Sequence, residues 1–232
     1  MNQDPPGAVP SAAQGADLRR IDTWIFDLDN TLYPMGTEVQ AQMDARITGY
    51  VVRETGLPPE EALALQKKYL HEHGATLAGM MAHHGVDPYG FLEEVHDVSL
   101  DSVSPDAALH TALERLPGRR LVFTNASSGH AERVLARLGY AGLFEHVFHL
   151  EAADLTPKPQ AAAYDALIRL HGVTPKSAVF FEDTETNLAP AARLGMATVL
   201  VGPHATASTA DFVDHRTNDL TAFLQAAQVR EP

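Results

Sequence analysis

Short apolar runs alternate with stretches of helical periodicity along most of the chain. The runs are continuous rather than interrupted by polar residues, and they cover 23–29, 120–125, 146–150, 178–183 and 197–202. Continuous runs of this length are typical of strands that are buried on both faces of a parallel sheet. Apolar residues with helical spacing lie between the later runs, at 128–138, 160–170 and 185–194. The alternation predicts an α/β fold whose core is a Rossmann-like, doubly wound parallel sheet.

A long insertion separates the first run from the second and exceeds any ordinary crossover connection. Its periodicity, broken by prolines and glycines, predicts helices at 38–54, 59–73, 77–84, 89–97 and 107–116. We therefore expect a helical cap at 35–116, a core domain at 21–34 and 117–232, and a flexible leader at 1–20. Ligands of open α/β sheets bind beyond the carboxyl ends of the strands, so the cap would cover that edge.

Composition narrows the classes of partner. The 232 residues carry a formal net charge of −13, which argues against a nucleic acid polymer because such a partner needs a basic face. The chain has no cysteine, so disulfides, Cys–zinc sites and thiol chemistry are excluded. No apolar run approaches the ~20 residues of a membrane span, and the first residues lack the features of a signal peptide. We expect a cytoplasmic protein without a membrane partner, either a monomer or a homodimer.

Reactive side chains end or follow four of the five predicted strands. They are Asp27, Asp29, Thr124, Asn125, Lys158, Glu182 and Asp183. Clustered carboxylates repel one another, and a hard divalent cation such as Mg²⁺ removes that penalty. A hydroxyl, an amide and a lysine are the groups that a phosphoryl oxyanion needs around it. Because one carboxylate can attack phosphorus while another exchanges protons, the set predicts phosphoryl transfer through a covalent aspartate.

The order of these motifs resembles the haloacid dehalogenase superfamily of phosphohydrolases. "DLDNT" after an apolar run, "TN" after another, a lysine between two prolines, and "ED" follow one another over residues 21–203. The insertion after the first motif is similar to the C1 helical cap of that superfamily. The resemblance implies that Asp27 is the nucleophile, that Asp29 is the general acid and base, and that Thr124 binds phosphate beside the amide of Asn125. It also implies that Lys158 balances the charge of nucleophile and phosphate.

The same resemblance implies a Mg²⁺ site. Asp183 matches the principal acidic ligand, Asp27 contributes a side-chain oxygen, and Asp29 contributes its backbone carbonyl. Glu182 is either a second ligand or bound through water. Asn187 occupies the later acidic position of a longer form of the motif, so its relation to the metal stays open.

One subgroup is most similar in appearance. Stretches such as "TWIFDLDNTLYP", "LPGRRLVFTNAS" and "FFEDTETNL" resemble pyrimidine 5′-nucleotidases with a C1 cap. This resemblance implies hydrolysis of UMP or CMP to nucleoside and phosphate. His73 adjoins a predicted helix break, with Thr76 and Met80 on the next turn, so we expect these three to bind substrate from the cap side.

Other functions stay open at this point. A different small-molecule phosphatase, acting on phosphoglycolate or a sugar phosphate, would use the same groups. A β-phosphoglucomutase-like phosphotransferase shares the core and the class of cap. A haloacid dehalogenase lacks an acid/base residue two positions after the nucleophile, so Asp29 speaks against it. A non-enzymatic protein that binds a partner would not need the full set of reactive groups.

Overall fold

The structure, a computed structural model, describes residues 15–230 and contains a six-stranded sheet in the order β3-β2-β1-β4-β5-β6. All neighbouring strands are parallel. The strands are β1 Thr23–Phe26, β2 Arg119–Phe123, β3 His146–Phe148, β4 Ala178–Glu182, β5 Ala197–Val201 and β6 His215–Thr217. The predicted doubly wound α/β core is confirmed. The pattern of apolar runs missed β6, because this short edge strand is polar and only half-buried.

Helices cover both faces of the sheet and form the insertion after β1. Those of the insertion are α1 Glu38–Thr55, α2 Pro59–His73, α3 Thr76–His84, α4 Pro88–Val95 and α5 Ala107–Glu114. Those that follow are α6 Ser128–Leu138, α7 Ala161–His171, α8 Glu185–Leu194 and α9 Leu220–Ala226. Within residues 15–230, none of the helices combines the length and the low polarity needed to cross a bilayer.

The first four helices of the insertion share a small core of their own. Tyr50, Tyr69, Met80 and Phe91 pack together in it, and Leu150 from the sheet domain completes it. Helix α5 lies within the range predicted as cap, yet it packs on α9, and its buried residues join the core around the sheet. We therefore propose that α1–α4 form the cap and that α5 belongs with the sheet domain.

The start of the described chain is packed against its end. Leu18 is buried in the main core, and Asp17 forms a parallel bridge with Gln228. The leader was expected over residues 1–20, of which 1–14 lie outside the described residues. Residues 17–20 belong to the folded domain, because the buried Leu18 anchors them.

Strand register decides which side chains meet at the carboxyl edge of the sheet. Phe26 of β1 is opposite Val122 of β2 and Phe181 of β4. The backbone N–H of Asp27 still donates to the Phe181 carbonyl at 2.9 Å, so the carboxylate emerges one residue after the apolar strand ends. The ends of the three central strands therefore lie side by side beneath the cap.

Candidate active site

The predicted motif residues surround one cavity at this edge. It has a volume of about 230 Å³ and opens between the sheet and the cap. Its walls include all seven reactive side chains expected at the strand ends: Asp27, Asp29, Thr124, Asn125, Lys158, Glu182 and Asp183. Asn187, whose relation to a metal the sequence leaves open, is buried and also lines the cavity.

A buried lysine joins two of the carboxylates. The Nζ atom of Lys158 donates to Oδ1 of Asp27 and to Oε2 of Glu182, at 2.7 Å each. Its third hydrogen bond, at 2.8 Å, goes to the carbonyl of Phe123. An ammonium group has three hydrogens, and all three are used here, so the lysine orientation is fixed.

The carboxyl groups of Asp27, Glu182 and Asp183 have raised pKa values even with this lysine beside them. Burial, together with repulsion from Glu182, raises the pKa of Asp27 to about 7. Burial likewise raises the pKa of Glu182 to about 7, and burial with repulsion from Asp27 raises the pKa of Asp183 to about 6. Although burial disfavours the charge of Lys158, attraction by Asp27 and Glu182 holds its pKa above the ordinary value. One ammonium group therefore does not neutralise the three carboxyl groups.

The same three carboxylates fit a divalent cation. Asp27, Glu182 and Asp183 each offer an oxygen, and these oxygens lie within 4.8 Å of one another. The two oxygens of Glu182 are already occupied, one by Lys158 and the other by the backbone N–H of Thr184 at 3.1 Å. Asp27 and Asp183 are therefore the carboxylates with most capacity for a hard cation, and Glu182 chiefly orients the lysine.

Thr124 and Asn125, the two polar residues after β2, make different contacts. The side-chain oxygen of Asn125 accepts from the backbone N–H of Lys158 at 2.8 Å, and its NH₂ group donates to the Lys158 carbonyl at 3.1 Å. This amide was expected to bind substrate, but both its polar atoms hold the lysine loop. Thr124 is buried, and its hydroxyl oxygen accepts only from the backbone N–H of Ala126 among the described residues, so the hydroxyl hydrogen can serve an anion in the cavity.

Asp29 has partners that the sequence motifs did not indicate. Its Oδ1 atom accepts from the Tyr33 hydroxyl at 2.6 Å and from Nε2 of His130 at 2.8 Å. Burial raises the pKa of Asp29, but its interaction with His130 and the two hydrogen bonds outweigh this, so the pKa lies below its ordinary value. A signal for His130 was present: it lies on the buried stripe of α6 with Ala131, Val134 and other apolar residues, where a polar side chain needs a partner.

The cap residues that line the cavity differ from those expected. His73, Thr76 and Met80 are absent from its walls. Met80 is fully buried in the core of the cap, and the Thr76 hydroxyl donates to the backbone carbonyl of Gln66 at 3.1 Å. The His73 ring packs against Tyr69, and the His73 carbonyl accepts from the Gln160 side chain at 3.1 Å. Helix periodicity did not reveal which cap face meets the sheet.

The cap contributes Gln40, Met43 and Ile47 from α1, and His96 from the residue after α4. A second cavity of about 160 Å³ adjoins the first and shares with it Gln40, Ile47, His96 and Asn125. Thr76 lines this second cavity. The two spaces together form a cleft that starts at the carboxylates and extends into the cap.

The arrangement of charges suits nucleophilic chemistry on an anion. Asp27 presents a carboxylate whose Oδ1 is fixed by Lys158, while Thr124 supplies a hydroxyl donor and the lysine supplies positive charge beside it. Asp29 lines the same cavity and keeps 17% of its side chain exposed. A fixed carboxylate, a second carboxylate and a buried lysine thus meet around one small space.

Comparisons with known proteins agree with the fold. The chain is 28% identical over 193 residues to Phosphate metabolism protein 8 of Saccharomyces cerevisiae, an alignment that covers 76% of this chain. It spans 60% of the length of that curated relative.

Solved structures with the same fold include a 2-haloacid dehalogenase from Pseudomonas syringae, at 22% identity and a TM-score of 0.56, with 89% of this chain and 97% of the other covered. A HAD family hydrolase from Deinococcus radiodurans, solved with bound phosphate and sodium, has 20% identity and a TM-score of 0.55, with 89% and 94% covered. At such identities the similarity establishes the fold alone.

The family itself follows from the sequence match. A model of the haloacid dehalogenase-like hydrolases matches residues 21–195, which include the first strand, the cap and the motif that ends at Asp183. The expected resemblance at the level of the superfamily is confirmed, and this chain belongs to the haloacid dehalogenase-like hydrolases.

Proposed function

We propose that this protein is a phosphatase that hydrolyses small phosphate esters through an aspartyl-phosphate. The observation that carries the proposal is Asp27, a buried carboxylate fixed by Lys158 at the floor of a cavity that Asp29 also lines. An oxygen of Asp27 attacks phosphorus and forms a P–O bond while the bond to the leaving oxygen breaks. Because its pKa lies below the ordinary value, Asp29 takes a proton from the monoanionic phosphate ester as that ester binds, and gives it to the leaving oxygen as the alcohol departs.

The second half of the reaction regenerates the carboxylate. Asp29, now ionised, takes a proton from water, and the resulting hydroxide oxygen attacks the phosphorus of the aspartyl-phosphate. The P–O bond to Asp27 breaks, phosphate leaves, and Asp29 again carries a proton. Thr124 donates a hydrogen bond to a phosphoryl oxygen in both steps, and the positive charge of Lys158, whose three hydrogens stay on Asp27, Glu182 and the Phe123 carbonyl, offsets the charge of the phosphoryl group.

A bound Mg²⁺ fits the proposal. Asp27 and Asp183 would hold it, with the backbone carbonyl of Asp29 as the further ligand that the resemblance implies. When bound, the ion supplies positive charge that offsets the negative charge of carboxylates and phosphoryl oxygens. The raised pKa values of Asp27 and Asp183 support this assignment, since a cation would favour their ionised forms.

For the substrate, we propose pyrimidine nucleoside 5′-monophosphates. The second cavity offers a place for the nucleoside beside the phosphate site. Phe91, Leu77 and Leu150 provide an apolar wall, and Gln66 with Asp44 provides hydrogen-bonding groups. A flat base with donors and acceptors along one edge suits such a space. The resemblance of the motifs to pyrimidine 5′-nucleotidases supports the same choice.

Dehalogenases share this fold, so the fold alone does not select the reaction. Asp29 favours phosphate ester hydrolysis, because a dehalogenase needs no proton donor for a leaving halide. The test is a phosphate-release screen with Mg²⁺ over UMP, CMP, AMP, phosphoglycolate and hexose phosphates. We expect the highest kcat/KM for UMP or CMP. Preference for phosphoglycolate or a hexose phosphate would refute the nucleotide assignment, and no phosphate release from any ester would refute the phosphatase.

A further inference from the structure

Two buried side chains bind the same oxygen of Asp29. Tyr33, which is 3% exposed, and His130, which is 1% exposed, both donate to Oδ1. A carboxylate only accepts hydrogen bonds, so Nε2 of His130 carries its hydrogen in this contact. The other oxygen, Oδ2, has no hydrogen-bond partner among residues 15–230, and the exposed part of Asp29 faces the cavity.

The orientation of His130 is itself fixed. The residue follows the helix cap Ser127, whose hydroxyl accepts from the His130 backbone N–H at 3.3 Å. The ring of His96, at the end of the last cap helix, stacks on it with centroids 4.7 Å apart and also contacts Ser127 through Nδ1 at 2.9 Å. Nδ1 of His130 is buried and has no hydrogen-bond partner within residues 15–230, so Nε2 is the ring atom that makes the directional contact.

We infer that His130 and Tyr33 are positioning residues that decide which oxygen of Asp29 exchanges the proton. With Oδ1 held by two donors, the transferable proton is carried by Oδ2, the oxygen left to the cavity. In the first step this O–H bond breaks and its proton passes to the leaving oxygen, while Oδ1 keeps both hydrogen bonds. The inference rests on the proposed role of Asp29 as general acid.

The dependence of kcat/KM on the leaving group tests this assignment. p-Nitrophenyl phosphate releases a phenolate that needs little help from an acid, whereas phenyl phosphate releases a phenol with an ordinary pKa of about 10. For His130→Leu and Tyr33→Phe we expect kcat/KM with phenyl phosphate to fall by about tenfold or more. With p-nitrophenyl phosphate it should fall by less than about threefold, because protonation matters less. His130→Gln keeps a side-chain N–H that can reach Asp29 and should restore much of the loss.

Controls separate the possible outcomes. Tyr140→Phe removes another buried hydroxyl, one that contacts only the Asp106 carbonyl at 3.5 Å, and should change neither rate. Equal losses for both substrates in His130→Leu and Tyr33→Phe, or no loss, would overturn the inference. If His130→Leu does not fold, Tyr33→Phe and His130→Gln decide the result. Asp29→Asn should show the same bias more strongly, and if it shows none, the proposed general acid is wrong rather than its positioning.

Discussion

The side-chain nitrogen of Lys158 lies 2.7 Å from Oδ1 of Asp27, although the two residues are 131 positions apart in the chain. The lysine is 1% exposed, and Glu182 lies at the same distance on its other side. The burial of the lysine leaves this contact little exposed to solvent, so the charge balance at the strand ends depends on a single ammonium group. The first two predictions follow from that dependence.

Replacing Lys158 by Met should destabilise the protein by roughly 3–5 kcal/mol at pH 7.5, because Asp27 and Glu182 would be buried without their cation. The loss should be smaller at pH 5, where the carboxyl groups can protonate. Denaturant unfolding at the two pH values measures the difference. Lys176→Met removes an exposed lysine and serves as the matched control, with a change below about 0.5 kcal/mol. Equal destabilisation by the two variants would contradict the charge balance described here.

Stability of the metal-free protein should fall as the pH rises from about 4 to about 7. The pKa values of Asp27 and Glu182 are raised to about 7, and that of Asp183 to about 6, from ordinary values of 3.8, 4.5 and 3.8. In that window these three groups bind more protons in the folded state than in the unfolded chain, and together they outweigh the opposite effect of buried His96, whose pKa is lowered to about 4, so the free energy of unfolding decreases with pH. Unfolding in EDTA at a series of pH values measures the slope. We expect added Mg²⁺ to reduce this slope. A free energy of unfolding that rises with pH over this window would contradict the raised pKa values of the three carboxyl groups.

The contact between cap and lysine loop gives a third prediction. Gly74 has a positive φ of 83°, and a Cβ atom there would lie 2.6 Å from the Lys158 carbonyl oxygen. Gly85 ends the next cap helix with φ 63°, but a Cβ there meets nothing within 4 Å. Both alanine variants should lose about 1 kcal/mol of stability from the left-handed backbone. Only Gly74→Ala should also lower kcat, because it displaces the carbonyl of Lys158. Equal kcat values for the two variants would show that the contact between Gly74 of the cap and the Lys158 carbonyl does not affect the reaction.

The second cavity gives a fourth prediction. Gln66 is 5% exposed, and its side-chain oxygen accepts from the Thr48 hydroxyl at 2.6 Å, which leaves the NH₂ group with only a 3.5 Å contact to Asp44. If this amide binds the base, Gln66→Leu should lower kcat/KM for UMP by roughly threefold to tenfold. The kcat/KM for p-nitrophenyl phosphate should not change, because that substrate has no nucleobase. Gln42→Leu, on α1 but outside both cavities, is the control. A parallel loss on both substrates would remove Gln66 from the proposed base site.

The sequence predicted those residues of the site that lie at the carboxyl ends of strands. Asp27, Thr124 and Glu182 each follow a continuous apolar run, and parallel pairing brings the ends of such strands to one edge. Lys158 was found from its place between two prolines, although its contact with Glu182 depends on the path of a loop. The residues at the strand ends needed only the pattern of each strand and the rule that ligands bind at its carboxyl end, whereas the role of Lys158, in the segment after β3, came from its place in the order of motifs.

The cap residues that face the cavity could not be predicted in the same way. Met80 and Gln40 both lie on amphipathic helices, and only the docking of α1 against the sheet decides that Gln40 faces the cavity. His130 was not predicted as a site residue, because its helix shows an ordinary apolar stripe and its partner Asp29 is 101 residues away. Edge strand β6 was missed because three polar residues carry no burial signal. The misses at the cap and at His130 concern contacts between elements that are distant in sequence, whereas β6 was missed because it carries no apolar pattern.

The central claim is that Asp27 captures the phosphoryl group, and rapid acid quenching of the reaction tests it most directly. Enzyme mixed with p-nitrophenyl phosphate and Mg²⁺ is quenched within the first turnover, digested, and examined by mass spectrometry. We predict a phosphoryl group on the peptide that contains Asp27, at a higher level in Asp29→Asn, which lacks the base for the second step. Asp27→Asn should carry none and release no phosphate. A phosphoryl group on another residue, or wild-type turnover by Asp27→Asn, would contradict the account.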